Sequence, residues 1–348
     1  MEPLPHLQRR VPKIACAAIR VTKVIEQQKD HRTETRTKVD MLLATLHSPI
    51  SYFQAIVLGL LQGITELFPV SSLGHSVVLP QLFGWTSLVK AQSASSSYFL
   101  TFLVGLHVAT ALGMLLFFIK DWIRIISALL VSIKERRIQN ADARLGWLLV
   151  IATIPAGIMG LVFEKLFRTL FARPLAAAIF LVINGIILLV GERARQKSES
   201  RALARSAADS RELLGKSEPT SRVLETLDFK ESVIIGVAQV FALLAGISRS
   251  GITMVAGLLR GLNHEDAARF SFLLATPIIF AAGVYKLPSL LSSNASAVRP
   301  EILVGAVFAF IAAFFSVRFL TKYFQTRNLY PFAAYCLAFG SLLVIRFV

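Results

Sequence analysis

Long apolar runs separated by short polar stretches are the feature of this sequence that most restricts its fold. Six such runs lie near residues 98–119, 146–164, 173–191, 267–288, 301–320 and 330–348. A helix needs about 20 apolar residues to cross the hydrocarbon core of a bilayer. Only 17% of the residues are charged and 55% are hydrophobic, which excludes a disordered chain and argues against a cytosolic enzyme. The sequence therefore predicts an all-α integral membrane protein.

Two further apolar regions are interrupted by polar residues, and each piece is too short to span a membrane comfortably. One is broken after Phe68 and the other after Ala245, and each continues with a second short apolar piece. The motif Gly-x-x-Gln occurs in both regions, starting at Gly59 and at Gly236, an offset of 177 residues. Each half thus consists of a re-entrant broken helix pair followed by three transmembrane helices.

Three crossings per half place the second half on the opposite face of the membrane from the first. This arrangement is an inverted-topology repeat, and it lets both broken segments meet near the midplane. The predicted boundaries are a polar N-terminal extension over 1–50, a first membrane repeat over 51–191, a charged linker over 192–230 and a second repeat over 231–348.

Positively charged residues give the expected orientation. The formal net charge is +16, and the basic residues cluster between the apolar runs, as they do in cytoplasmic loops. We therefore expect the loop at 120–145 and the charged linker to be cytoplasmic, and we do not expect binding of nucleic acid. The basic residues of the first forty positions do not suit an outer location. These positions are expected to be disordered or to precede the true start, with Met41 as that start.

The first interrupted region carries an acid, an imidazole and hydroxyl groups. Gln62 and Glu66 are four residues apart and share one helix face, and a following proline is expected to end that helix. Ser71, Ser72 and His75 are expected to occupy the turn after it. Ionisable side chains at membrane depth are costly and therefore indicate function. A structural salt bridge for Glu66, and helix capping for the serines and the histidine, are the alternative interpretations.

The second interrupted region is typical of a phosphate cradle. Two glycines flank a short turn that opens a half-helix, whose free N–H groups favour anions. Ser248, Ser250 and Thr253 add hydroxyl groups, and Arg249 supplies a planar charged fork that suits phosphate. The alternative is that Arg249 only neutralises Glu66 while the serines cap the helix.

Together, these groups suit phosphoryl transfer, which requires positioning and charge stabilisation of the transferred group. The nucleophile is either Ser72, with His75 as its base, or a water molecule activated by His75 or Glu66. Other polar residues are expected to play lesser parts: His107 as a packing or hydrogen-bonding residue within a span, and Glu192 and Asp121 as solvated residues at span ends.

The ordered pair of motifs resembles the undecaprenyl-diphosphate phosphatases of the bacitracin-resistance type. The resemblance rests on Gln-x-x-x-Glu and Pro-x-Ser-Ser-x-Gly-His, followed later by Gly-x-Ser-Arg-Ser-Gly-x-Thr, and it covers residues 50–348. The sequence departs from the family pattern at two places, because Gln62 replaces a glutamate found in some members and Ala245 replaces a proline.

This resemblance implies a multi-pass enzyme of the bacterial inner membrane that hydrolyses undecaprenyl diphosphate to the monophosphate and recycles the cell-wall lipid carrier. By matching position, Glu66, Ser72, His75 and Arg249 inherit the catalytic roles. Substrate binding falls to the remaining motif residues, namely Gln62, Ser71, Ser248, Ser250 and Thr253.

A divalent cation, Mg²⁺ or Ca²⁺, is also implied, with Glu66 and Gln62 as its ligands. A homo-oligomer is compatible with the sequence. The competing interpretation is a transporter or flippase of a polyprenyl phosphate lipid, because inverted repeats with broken helices also occur in transporters.

Overall fold

A computed structural model describes residues 49–92, 98–163, 173–209, 222–291 and 298–348. Helices make up most of this part of the chain, and an isolated β-bridge joins Arg222 to Leu262. The segment from Ile50 to Val348 forms one compact unit. The expectations for residues 1–48 and for the middle of the charged linker (210–221) lie outside the described residues.

The described residues of the first half form seven α-helices, whose bounds are α1 Tyr52–Thr65, α2 Ser72–Leu82, α3 Thr86–Gln92, α4 Tyr98–Phe117, α5 Ile119–Glu135, α6 Ala141–Val162 and α7 Pro174–Asp209. The described residues of the second half form five, namely α8 Phe229–Val240, α9 Arg249–Leu259, α10 His264–Leu291, α11 Arg299–Tyr323 and α12 Tyr330–Phe347. Short 3₁₀ turns lie at Leu224–Thr226 and Phe241–Leu243.

Six of these helices are long and apolar enough to cross a membrane, and they coincide with the six predicted runs. They are Tyr98–Phe117, Ala141–Val162, Pro174–Arg201, His264–Lys286, Arg299–Tyr323 and Tyr330–Phe347. The interrupted regions form the short pairs α1/α2 and α8/α9, as the sequence predicted. The all-α membrane fold is thereby confirmed, whereas the inversion of the two halves across the membrane stays a prediction.

Local sequence explains where the broken helices start. Ser51 caps α1 through a capping box with Gln54, and Asp228 caps α8 in the same way through Glu231. Each box satisfies two backbone N–H groups that a helix start otherwise leaves without partners. The second helix of each pair is capped by a serine, Ser71 for α2 and Ser248 for α9.

Each broken helix packs on a spanning helix of the other half at very close range. A Cβ atom on Gly59 would lie 2.3 Å from the carbonyl oxygen of Gly305 in α11, and one on Gly236 would lie 2.5 Å from that of Ala152 in α6. Small residues at such crossings let helix backbones approach in a lipid environment, where close packing drives association. The shared Gly-x-x-Gln motif therefore has a packing role in both halves.

The region from 120 to 145 differs from the predicted loop, because most of it is the 17-residue helix α5. Its inner side packs on α6 through Ile125, and the indole N–H of Trp147 donates to the hydroxyl of Ser132 at 2.9 Å. Asp121 is not simply solvated, since its carboxylate pairs with Arg269 of α10 at 2.9 Å. Helix α7 likewise continues past residue 191 into the segment predicted as linker.

Candidate active site

The two broken segments converge on one ion pair. Glu66 is the C-cap residue of α1 and Arg249 is the first residue of α9, and Arg249 Nη2 donates to Glu66 Oε1 at 3.0 Å. The side chains of the pair are only 7% and 12% exposed, respectively. Arg249 Nη1 also donates to the backbone carbonyl of Ser271 at 3.3 Å. The guanidinium fork thus bridges the carboxylate and the next spanning helix.

The second carboxylate oxygen of Glu66, Oε2, lies close to three further groups. Gln62 Nε2 donates to Oε2 at 3.0 Å and Ser72 Oγ donates to the same atom at 2.5 Å. His107 Nε2 lies 3.4 Å from it. A buried carboxylate is strongly unfavourable unless it is paired and hydrogen-bonded. These contacts keep Glu66 ionised and place the Ser72 hydroxyl next to a base.

Ser72 and His75 lie on the first turn of α2 and not in an open turn, so that expectation was wrong. Ser71 is the N-cap residue of this helix and takes the positive φ of 70° that links the two short helices. Gly74 is required for a different reason than turn geometry. A Cβ atom there would lie 3.0 Å from Cα of Gly246, in the other broken segment.

His75 does not contact Ser72 in the way that one of the two sequence hypotheses requires. Its Nδ1 atom lies 2.7 Å from the carbonyl oxygen of Ser71, which can only accept, so Nδ1 carries the hydrogen. Its Nε2 atom therefore accepts from the hydroxyl of Tyr335 at 2.8 Å. The imidazole also stacks on the rings of Tyr335 and Phe339. The base that faces the Ser72 hydroxyl is Glu66.

Ser71 joins the two broken segments directly. Its Oγ atom accepts from the backbone N–H of Gly246 at 3.1 Å, across 175 residues of sequence, and from that of Gly74 at 3.3 Å. Gly246 has a φ of 111°, a backbone conformation that side chains other than glycine rarely adopt. A Cβ atom at this position would also lie 2.4 Å from the carbonyl oxygen of Ala177 in α7.

The hydroxyl groups of the second motif bond to groups inside the protein. Ser248 and Ser250 both donate towards the carbonyl oxygen of Phe68, at 3.5 and 3.3 Å, and so attach α9 to the first broken segment. Thr253 Oγ1 donates to the carbonyl oxygen of Arg249 at 2.8 Å and lies 2.7 Å from the hydroxyl of Ser271. In this arrangement these three residues hold the loop in shape, and Arg249 is the group of the motif that reaches the carboxylate.

Asn184 of α7 is a contributor that the sequence analysis missed. It is fully buried, and its Oδ1 atom accepts from the backbone N–H of Ser248 at 2.9 Å. Its Nδ2 atom donates to the carbonyl oxygen of Pro69 at 2.9 Å and to Cys336 Sγ at 3.3 Å. One amide therefore holds both broken segments. An asparagine in the centre of an apolar run is the sequence signal that could have identified it.

His107 of α4 was expected to be a packing or hydrogen-bonding residue, and its Nδ1 atom does lie within hydrogen-bond distance of the carbonyl oxygen of Leu103, at 2.8 Å. Its Nε2 atom also lies 3.4 Å from Glu66 Oε2. The side chain is 21% exposed. No spacing rule links this histidine to a carboxylate 41 residues earlier in the chain.

Few side chains of this site could coordinate a cation. Among the described residues, no group of three or more His, Cys, Asp or Glu side chains is placed to hold a metal ion. Glu66 offers one carboxylate, and the buried Oε1 atom of Gln62 has no hydrogen-bond partner. Mg²⁺ commonly uses one or two carboxylates together with substrate phosphates. These two side chains therefore fit a cation that is shared with a diphosphate, and do not form a cage by themselves.

A polar cavity of about 430 Å³ lies away from this site, near the junction of α7 and α10, and none of the predicted site residues lines it. Glu192, which we expected to be solvated, lies at its wall and is fully buried. Its carboxylate pairs with His264 Nε2 at 2.7 Å and accepts from the backbone N–H of Leu329 at 3.3 Å. These two contacts of the Glu192 carboxylate fasten α7 to α10 and to the start of α12.

Comparison with known proteins identifies the family to which this chain belongs. The profile of the family described as "Bacitracin resistance protein BacA" matches residues 55–342. The matched range includes most of the first broken segment, all of the second, and five of the six candidate spans in full.

Curated relatives match over nearly their whole length. "Undecaprenyl-diphosphatase 2" of Frankia alni is 51% identical over 343 aligned residues, which cover 86% of this chain and 98% of the relative. "Undecaprenyl-diphosphatase" of Mycolicibacterium paratuberculosis is 50% identical, with 84% and 96% covered. "Undecaprenyl-diphosphatase 2" of Burkholderia ambifaria is 42% identical, with 84% and 95% covered.

Proposed function

Because this chain belongs to the bacitracin resistance protein BacA family, we propose that it is an undecaprenyl-diphosphate phosphatase. In this reaction the lipid diphosphate is hydrolysed to undecaprenyl phosphate and inorganic phosphate. The names of the relatives support a hydrolase and do not favour the transporter interpretation. The observation that carries the proposal is the convergence of Ser72, Glu66 and Arg249, in which a hydroxyl, a base and a guanidinium meet within hydrogen-bond distance.

Arg249 binds the diphosphate. Its two terminal nitrogens contact Glu66 and the Ser271 carbonyl oxygen, and both contacts are single hydrogen bonds that phosphate oxygens can replace. A planar fork binds two phosphate oxygens at once, whereas an ammonium group acts as a point charge. The guanidinium also stabilises the charge that spreads over the transferred phosphoryl group.

Ser72 is the nucleophile that the geometry favours. Its hydroxyl hydrogen points to Glu66 Oε2 at 2.5 Å, which is the relation between an activated nucleophile and its base. Ser72 Oγ forms a bond to the terminal phosphorus, the bond from phosphorus to the bridging oxygen breaks, and undecaprenyl phosphate leaves. The serine proton moves to Glu66. Water then hydrolyses the phosphoserine: its oxygen bonds to phosphorus, the bond from phosphorus to Ser72 Oγ breaks, and Ser72 Oγ takes back the proton held by Glu66. The protons of the water leave with inorganic phosphate.

The other sequence hypothesis keeps water as the direct nucleophile. In that case Glu66 removes a proton from water, and the Ser72 hydroxyl only positions the phosphate. His75 does not act as the base for Ser72 in either version, since its Nδ1 and Nε2 atoms contact Ser71 and Tyr335. Its role is to brace the first turn of α2 against α12.

A divalent cation, Mg²⁺ or Ca²⁺, would be held by Glu66 and by the Oε1 atom of Gln62, together with the diphosphate. When bound, it would neutralise charge on the leaving phosphate. Binding can be tested without turnover, by measuring Mn²⁺ in paramagnetic resonance with and without pyrophosphate. We expect tight binding only with pyrophosphate, and weaker binding in Gln62→Leu; equal binding without pyrophosphate would contradict the shared site.

The lipid substrate and the six spans place the enzyme in a membrane, and we assign it to the bacterial inner membrane, where the cell-wall carrier is recycled. The experiment that tests the function is phosphate release from purified undecaprenyl diphosphate by the detergent-solubilised protein. Wild type is expected to release one phosphate per lipid, and Arg249→Ala, with an unchanged melting temperature, is expected to release none. If wild type is inactive with Mg²⁺ present, the function is refuted.

A further inference from the structure

We infer that helix α5 lies flat in the membrane surface and binds anionic phospholipids, with one side in the acyl chains and the adjacent side on the headgroup phosphates. The inference concerns a lipid-binding surface of the protein and does not depend on the phosphatase reaction. Helix α5 has 17 residues, five of them charged, and it is not one of the six candidate spans. A helix of this length and polarity does not cross the hydrocarbon core.

Helix α5 crosses α6 at an angle. A Cβ atom on Gly146 would lie 3.2 Å from Ile125 and 3.3 Å from Leu129. One turn further along, the hydroxyl of Ser132 accepts from the indole of the next residue of α6, Trp147, at 2.9 Å. These three residues of α5 extend over about 10 Å of helix, yet they meet two neighbouring residues of α6. The two helices therefore do not run side by side.

The crossing lies at one end of the spans. Gly146 is the sixth residue of α6, and Arg269, which pairs with Asp121 at 2.9 Å, is the sixth residue of α10. Helix α5 begins at Ile119, two positions after the last residue of span α4. It therefore starts where one span ends and lies across the first two turns of two others, which is the level of the membrane boundary.

A stripe of apolar side chains runs along the exposed side of α5. Its members recur at intervals of three and four residues, which keeps them on one helix face. They are Ile119, Ile123, Ile126, Leu130 and Ile133. Ile123 and Leu130 are each 62% exposed. At the membrane boundary such a stripe is buried among acyl chains, as in helices that lie in the interface.

A polar row lies beside this apolar stripe. Its four members, Lys120, Arg124, Ser127 and Lys134, each follow a stripe residue by one position and are exposed. One position is a rotation of about 100° around an α-helix. The polar row therefore points along the membrane surface or into water when the stripe points into the acyl chains.

The charge of this segment suits phosphate groups. Residues 119–137 contain five basic and two acidic side chains. Both acids already have basic partners, since Asp121 pairs with Arg124 and Arg269, and Glu135 pairs with Arg137. Basic residues next to a membrane attract anionic lipids. An anionic lipid surface offers acyl chains and phosphates at adjacent depths, so it fits the stripe and the polar row together.

The position of the stripe is measured with a nitroxide label at Leu130→Cys, in the full-length Cys16→Ser protein in vesicles of phosphatidylcholine and phosphatidylglycerol. The remaining cysteine, Cys336, is buried. Collisions with oxygen, which enters acyl chains, are compared with collisions with a nickel chelate, which stays in water. We expect oxygen to dominate at position 130, as it should at Ile154→Cys, an exposed position of span α6. Ser127→Cys, in the polar row, should favour the nickel chelate.

Two results at position 130 would overturn the inference. Dominance of the nickel chelate would place the stripe in water. Few collisions with either reagent would mean that another protein surface, such as a second copy of this chain, covers it.

The headgroup contact is tested by native mass spectrometry from micelles with equal parts of the two phospholipids. Wild type is expected to retain phosphatidylglycerol in preference. Lys120→Gln/Lys134→Gln should lower this preference about fivefold or more, because one basic residue near an anionic surface contributes about that factor. The control is Lys322→Gln/Arg346→Gln, which removes two exposed charges at the ends of α11 and α12. No loss in the α5 pair, or an equal loss in both pairs, would overturn the assignment of lipid binding to α5.

Discussion

Glu66 and Arg249 lie 183 residues apart in sequence and 3.0 Å apart in space, with both side chains almost excluded from solvent. The contact joins the end of one broken helix to the beginning of another. It means that neither interrupted segment is a site by itself. The acid and the hydroxyl come from the first segment and the guanidinium from the second.

The first prediction concerns this ion pair. Arg249→Lys should reduce kcat/KM by about 100-fold or more, because removal of a preorganised donor to developing charge typically costs that much and a point charge cannot replace the fork. Phosphate release from the lipid diphosphate is the measurement. Arg318→Lys, at an exposed position of α11, is the control and should be neutral. Near-normal turnover of Arg249→Lys would exclude a two-point contact with the phosphate.

The second prediction distinguishes serine from water as the nucleophile. Ser72→Ala should abolish turnover, and wild type quenched in acid during turnover should contain phosphate on Ser72, detectable by mass spectrometry of the digested protein. Ser76→Ala is the matched control, since this serine lies one turn later in α2, is buried and has no side-chain hydrogen bond. A Ser72→Ala variant that keeps a tenth of the rate would assign the attack to water.

The third prediction concerns the close helix crossings. Gly59→Ala and Gly236→Ala should each lower stability, by about 1–3 kcal/mol for an overpacked contact, because the added Cβ would lie 2.3 and 2.5 Å from a backbone oxygen. The melting temperature in detergent reports this loss. Gly157→Ala should be neutral or slightly stabilising, because its Cβ would have 4.0 Å to its nearest neighbour. Equal melting temperatures for all three variants would contradict the close backbone approach at the two helix crossings.

The fourth prediction concerns Asn184. Asn184→Ala leaves the buried Ser248 N–H without its side-chain partner, which costs about 1–3 kcal/mol, and leaves the Pro69 carbonyl oxygen with only the Cys336 thiol at 3.8 Å. We expect a lower melting temperature together with reduced kcat, since the two segments lose a common support. Ile183→Ala, at the adjacent position facing outward, is the control. Full activity in Asn184→Ala would show that the segments hold their distance without this amide.

The fifth prediction concerns the pH dependence of stability that arises at the start of α8. Arg222 donates to both oxygens of Glu231, at 2.6 and 3.0 Å, and chiefly this hydrogen bonding lowers the pKa of Glu231 below its usual range. The lowered pKa adds stability that is present above the ordinary glutamate value of about 4.3 and is lost as pH falls through the lower folded value. The pair is partly exposed, so its contribution is about 1 kcal/mol or less.

Glu231→Gln should therefore lower the melting temperature at pH 7, and the difference from wild type should shrink below about pH 4. Glu225→Gln, at an exposed position of the neighbouring 3₁₀ turn, is the control and should show no such convergence. A difference that stays constant across this pH range would assign the effect of Glu231 to packing.

The sequence by itself determined the elements of this protein and the residue types of its site. Apolar run length located all six candidate spans, because twenty apolar residues have one stable arrangement in a bilayer. The polar interruptions located the broken helices, since Pro69 and the glycines near Ser248 are incompatible with a continuous span. Glu66, Ser72 and Arg249 stood out because charge and polarity are costly at membrane depth.

Only the tertiary structure decided which of these groups touch. Spacing suggested that Ser72 pairs with His75, but helix packing directs the hydroxyl to Glu66 and the imidazole to Tyr335. His107 and Asn184 come from spans without any motif, and their contacts with the site exist only because α4 and α7 pass beside the broken segments. Periodicity is a local property that a sequence displays directly, whereas contacts between separate helices depend on how the helices cross, which is set by the close packing of all of them together.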